Sequence, residues 1–279
     1  MLSRRRFFKV SSSACGCALC GVGSLGIVSV TRAEEAAHIR GQGFDLGFIG
    51  AQRETIMNGK LAAAIDVKTL ASRPHVYAIG PIEELRGEVT IIDGRPALAR
   101  VAQDGRVQVT ESFETGAPFL VWAEVPAWHT MPIPPEVRSF GDLEAFVPYA
   151  AATAGLDPQQ PLPFLVRGRA DLIDFHVLNR VGNNPHNAEI HRRIQVGFEL
   201  KQSDAVIVGF YSTLHRGIFI PMDSTIHMHF QTPDNKSSGH IQALEIGRDA
   251  MLSVPQRAAA CLTVTSNEGA PRRWKWRFG

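Results

Sequence analysis

The sequence predicts a strand-rich α+β chain whose body divides into two lobes, each built on a mixed or antiparallel β-sheet. Three observations carry that prediction. Short β-branched and aromatic runs follow one another through most of the chain, separated by turn residues. Helical periodicity is confined to residues 54–72 and to a short stretch at 142–146. The segment Gly155-Leu-Asp-Pro-Gln-Gln-Pro-Leu-Pro163 interrupts the strand pattern near the middle. It marks the boundary between an N-terminal lobe, residues 34–155, and a C-terminal lobe, residues 156–279.

Taken in order, residues 34–53 read as an exposed lead-in. Ile56, Leu61, Ile65 and Leu70 recur among Lys and Asp and predict an amphipathic helix over 54–72. The period then changes. Residues 75–79 and 88–92 are extended runs, and Asp93-Gly94 is a hairpin turn signal that returns the chain into 96–101. Residues 107–110 and 119–125 continue the meander, and Pro132, Pro134 and Pro135 end it. Past the boundary, strands are predicted at 164–166, 172–178, 195–200, 205–211, 217–220, 225–230 and 240–246. No repeat of fixed period is visible.

The N-terminus reads differently. Ser3-Arg-Arg-Arg-Phe-Phe-Lys9 is followed by an uncharged, mildly apolar stretch and then by Thr31-Arg32-Ala33, small residues at the positions a signal peptidase reads. The pattern predicts a secretory signal over residues 1–33, and the paired arginines resemble a twin-arginine signal. Periplasmic or secreted localisation follows as an expectation, with no stable membrane anchoring after cleavage. Cys15, Cys17 and Cys20 would leave with the signal, so the mature chain would keep only Cys261 and no internal disulfide.

Charge also depends on that division. The 279 residues carry a formal +2. Residues 1–33 hold five basic residues and no acidic ones, so the remainder carries −3, or −7 once the basic, aromatic tail at 272–279 is set aside. An acidic body excludes a nucleic-acid-binding role of the usual basic kind. Substrate anions would be drawn in locally.

The most informative segment is Ile226-His-Met-His-Phe230, then Gln-Thr-Pro-Asp-Asn-Lys-Ser-Ser-Gly and His240. Alternation along a strand puts His227 and His229 on one face. Pro233, Asp234, Asn235 and Gly239 supply turn chemistry that brings His240 back beside the pair. Three imidazoles converging on one point suit Zn²⁺ with a position left open, and also suit another divalent transition metal such as Cu, Ni or Fe. A His-x-His pair in a strand is also often two half-exposed histidines without a metal.

These residues belong to a longer pattern. Ile207-Val-Gly-Phe-Tyr-Ser212, Gly217-Ile-Phe-Ile-Pro221, His227-x-His-Phe230 and Gly239-His240, together with His75-Val-Tyr-Ala-Ile-Gly-Pro-Ile-Glu-Glu-Leu-Arg-Gly-Glu88 and Asp93-Gly94, resemble the α-acetolactate decarboxylases. The resemblance runs from about residue 70 to 246. It implies that fold and a carboxy-lyase forming acetoin and CO2 from a small keto acid. By the same resemblance, His227, His229 and His240 match the zinc ligands and Glu88 the active-site glutamate. Arg180 is the best match to the family arginine, with Arg167 and Arg169 as competitors, because the chain carries about four extra residues before Arg180. Two departures stand out. Pro81 occupies the position of the family threonine, and neither Glu245 nor Glu268 fits the family's C-terminal glutamate. They leave open a related lyase or isomerase acting on another hydroxy-keto acid, or an exported metal- or ligand-binding protein without turnover. A homodimer is equally open.

Overall fold

The computed structural model describes residues 35–257. The proposed signal with its cysteines, Cys261, Glu268 and the basic tail lie outside the described residues. Strands dominate, as expected, and every pairing between them is antiparallel.

The first sheet contains β1 (Ala37–Gly41), β2 (Phe44–Ile49), β4 (Val76–Pro81), β5 (Glu88–Ile92), β6 (Arg95–Val101), β7 (Val107–Thr110) and β9 (Leu120–Glu124), in the spatial order β1-β2-β9-β4-β5-β6-β7. A two-residue pair, β3 (Ile65–Asp66) with β8 (Gly116–Ala117), stands apart from it. The second sheet contains β10 (Trp128–Pro132), β11 (Leu162–Leu178), β12 (Gln195–Tyr211), β13 (Ile226–Gln231), β14 (Ser238–Ile246) and β15 (Met251–Pro255), in the order β10-β15-β11-β12-β13-β14. An additional β11–β14 pairing closes β11, β12, β13 and β14 on one another. The helices are α1 (Gln52–Asn58), α2 (Phe140–Thr153) and α3 (Ala188–Arg193).

Several elements depart from the sequence expectation, each for a local reason. The lead-in at 34–53 is exposed only as far as β1; Phe44, Leu46 and Ile49 of β2 are buried. Gly47 hides the alternation, because it leaves its place to the Trp122 indole, which a Cβ there would meet at 2.3 Å. The predicted helix at 54–72 stops at Asn58, where Gly59 takes the left-handed φ of 65° and caps the turn. Only a 3₁₀ turn at Val67–Leu70 follows, started by the Asp66 side chain accepting from the Lys68 N–H. The short helix at 142–146 extends to 14 residues, opened by a capping box between Ser139 and Asp142. The pieces predicted at 164–166 and 172–178, and at 195–200 and 205–211, join into two 17-residue strands. The strand expected at 217–220 is a turn, with Gly217 at φ 71°.

The two sheets share one core. Leu46, Tyr77, Ile79 and Val121 from the first pack in the same cluster as Phe164, Phe175, Phe210 and Phe230 from the second. Each such side chain contributes about 1.5–3 kcal/mol by leaving water. The opposite face of the first sheet has its own cluster, including Val89, Ile91 and Trp122. Strand alternation on β5 therefore turns Val89 and Ile91 outward and presents Glu88 and Thr90 to the second sheet.

Candidate metal centre and active site

The register of the second sheet assembles the imidazoles. His229 and His240 are direct cross-strand partners between β13 and β14. His227 lies two residues along β13, on the same face. His227 and His229 lie out of solvent and His240 is part-buried, and one nitrogen from each falls within 4.8 Å of the others. The closest pair, His227 Nε2 and His240 Nδ1, is 3.0 Å apart. Nitrogens around a four-coordinate zinc stand about 3.3 Å apart.

Two of the rings are held from behind. The Phe219 carbonyl accepts from His227 Nδ1–H at 2.8 Å, which leaves Nε2 as a lone pair facing the group. His229 Nδ1 meets the Thr90 hydroxyl at 3.1 Å, and Thr90 in turn accepts from Ser238 Oγ at 3.0 Å. His229 Nε2 is buried with no hydrogen-bond partner. A buried nitrogen left unpaired is costly unless a ligand completes it. Burial also fixes the charge state. It pushes His227 down to about 4, with the bond to Phe219 opposing. It drives His229 and His240 well below their ordinary range, reinforced by neighbouring histidines. Neutral imidazoles are what metal ligation requires, so the donor set fits a divalent transition ion.

Glu88 comes from the other sheet. It is 2 % exposed, with Oε2 3.9 Å from His229 Nε2 and Oε1 3.8 Å from His176 Nε2. Burial holds its carboxyl well above the usual range, opposed only by the Leu178 N–H that donates to it at 3.3 Å. Burial thus biases this carboxyl toward its protonated form, as a proton donor requires. Pro81, the cross-strand partner of Glu88, stands at the cavity wall without a hydroxyl.

These groups line a cavity of about 690 Å³. Glu144 of α2 reaches its rim and accepts from the hydroxyls of Ser224 and Thr225 at 2.8 Å each. Burial alone would raise that carboxyl, but the Thr225 backbone N–H and the two hydroxyls hold it below its usual value.

Four of the sequence-predicted site residues are thus brought together: His227, His229, His240 and Glu88. Arg180 is not among the residues that line the cavity. Its guanidinium is held 2.6 Å from Glu84 Oε2 and 2.7 Å from the Asn184 carbonyl. Arg167 and Arg169 are exposed in the middle of β11, and Glu245 is exposed on β14. Sequence reasoning passed over His176 and His191, which line the cavity, and Thr90, which seats a ring. Only strand pairing exposes His176, the direct partner of His240 on β11.

The fold has relatives among solved structures. A Staphylococcus aureus protein of unknown function, similar to alpha-acetolactate decarboxylase, superposes with a TM-score of 0.62 at 18% identity, over 75% of this chain and 84% of that one. The alpha-acetolactate decarboxylase of Bacillus subtilis strain 168 gives 0.61 at 16% identity over the same shares of the two chains. The acetolactate decarboxylase of Bacillus subtilis subspecies spizizenii gives 0.60 at 16%, again over 75% and 84%. No curated protein matches the sequence. The family model for alpha-acetolactate decarboxylase matches residues 50–268, most of the chain and all of the site. The chain belongs to the alpha-acetolactate decarboxylase family.

Proposed function

We propose that this protein is an exported, divalent-metal-dependent carboxy-lyase that converts α-acetolactate to acetoin and CO2. The observation that carries the reading is the juxtaposition of three convergent, neutral imidazoles with one buried carboxyl biased toward its protonated form, in a cavity of a family fold. His227, His229 and His240 would hold the ion, and their all-nitrogen donor set suits zinc among the divalent transition metals. When bound, such an ion supplies a Lewis acid for neighbouring hydroxyl and ketone oxygens.

The reaction breaks the bond between the carboxylate carbon and the carbinol carbon. Its electron pair passes toward the ketone oxygen as CO2 departs, and a proton must then reach the carbinol carbon. Glu88 is the group for that delivery, because it is buried, directed at the triad and biased by burial toward its protonated form. General acids of this kind contribute about 10²–10⁴-fold. Thr90 and the Phe219 carbonyl keep the rings oriented throughout.

A second reading has its own support. Pro81 offers no hydroxyl at the wall, and Arg180 is engaged by Glu84. Both favour a related hydroxy-keto acid as the substrate, handled by the same metal and acid. The test is acetoin release from racemic acetolactate by purified, zinc-loaded protein. Release well above a His227→Ala control supports the first reading; turnover only on another hydroxy-keto acid supports the second.

A further inference from the structure

The row of imidazoles extends one strand past the metal triad. His229 faces His240, and His240 faces His176, as successive cross-strand pairs. The three side chains therefore share one face of β13, β14 and β11. The His176 ring stacks on His240 with centroids 4.6 Å apart. It is 5 % exposed, lines the cavity, and its Nδ1 has no hydrogen-bond partner. Neither ion binding nor the proton delivery assigned to Glu88 uses this nitrogen.

Glu88 stands beside His176, with Oε1 3.8 Å from its Nε2, and the wall there also carries N–H donors. Gln195 is the cross-strand partner of Leu178, two residues from His176 on the same face, and it also lines the cavity. His191 of α3 adds a third N–H-bearing side chain. Among the described residues, no lysine or arginine lines the cavity.

We propose that His176, with His191 and Gln195, forms an oxyanion subsite that receives the carboxylate of the substrate. The inference rests on the carboxy-lyase reading and goes further by naming the residues that recognise the acid group. Hydrogen bonds from N–H donors to a carboxylate are charge-assisted and directional. The subsite stands one strand from His240, about 4.8 Å across the sheet, a span that a five-carbon hydroxy-keto acid covers. Donors without a fixed charge orient the carboxylate but grip it less tightly than a guanidinium. That suits a group whose charge must vanish as CO2 leaves, since tight ground-state binding would add to the barrier.

The test compares zinc-loaded wild type with two variants of one position. His176→Phe keeps a ring against His240 but removes both nitrogens; His176→Asn returns an amide near the place of Nδ1. Metal content is measured first and should match wild type in all three. Calorimetry then compares 2-hydroxy-2-methylpropanoate with the neutral 2-methylpropane-1,2-diol. Wild type should prefer the acid by roughly tenfold or more, the worth of one hydrogen bond to a charged group. His176→Phe should lose the preference and raise KM for acetolactate more than it lowers kcat, while His176→Asn restores most of both. A wild type without the preference, or a metal-loaded His176→Phe that keeps it, would overturn the assignment. If His176→Phe loses its metal, Gln195→Leu is judged by the same criterion. A wild type that shows the preference but releases no acetoin, with the preference lost in His176→Phe, would leave the subsite standing and remove the decarboxylase reading.

Discussion

The proposed chemistry turns on one carboxyl. Glu88 lies in a buried pocket with the Leu178 N–H as its hydrogen-bond partner, so its neutral form persists where an exposed glutamate would ionise. Glu88→Gln keeps the shape and removes the transferable proton. It is expected to lower kcat by about 10²-fold or more while metal content stays at the wild-type level; unchanged kcat would remove Glu88 from the reaction. The histidines set a second expectation, for the metal-stripped protein. Burial takes His191 and His227 from 6.5 in the open chain to about 4 in the fold. Between those values the unfolded chain binds protons that the folded chain refuses, so stability is lost as pH falls from 6.5 toward 4. His227 alone accounts for on the order of 3 kcal/mol. Glu88 acts in the opposite sense, costing stability as pH rises from 4.5 to its higher folded-state value. Urea midpoints measured across pH 4–7 should therefore drop on the acid side, and a flat profile would contradict the burial of neutral imidazoles.

At the scale of elements, the site depends on strand pairing between segments far apart in sequence. β5 carries Glu88 and Thr90 from one sheet to the rings of the other, and the Thr90–Ser238 hydroxyl pair ties the two together. Gly239 shows how closely the strands approach. A Cβ there would lie 2.6 Å from the Phe175 ring and 2.8 Å from the His176 carbonyl. Gly239→Ala must push β11 away from the residue just before His240, and overpacking of this kind costs about 1–3 kcal/mol. A lowered melting temperature with weakened metal retention is the expected result; an unchanged melt would show that the strands can yield. The same dependence explains what the sequence makes legible. The His-x-His pair, the turn and His240 are local, so alternation and spacing expose them. Glu88 emerges through its motif. His176 acquires its meaning only from its pairing with His240, which nothing within either segment announces. β2 was concealed by a glycine that yields its space to Trp122, and α1 was overextended because Gly59 ends the helix within an otherwise helical pattern.

At the scale of the whole molecule, two antiparallel sheets share a core and meet where the three imidazoles and Glu88 converge. The paired arginines, the uncharged stretch and Thr31-Arg32-Ala33 ahead of this body support the proposal of a folded, loaded enzyme sent across a membrane. Protein recovered from the periplasm of an expressing bacterium should begin at Glu34, and replacing Arg4 and Arg5 with lysine should leave precursor inside the cell. Mature protein that retains residues 1–33 would contradict that account. The sharpest trial of the central claim is a titration of stripped protein with zinc, reading acetoin from racemic acetolactate at each addition. Acetoin release should rise in proportion to zinc and break at one ion per chain, and His227→Ala should show neither rise nor break. Full binding of one zinc per chain with no acetoin above that control would contradict it.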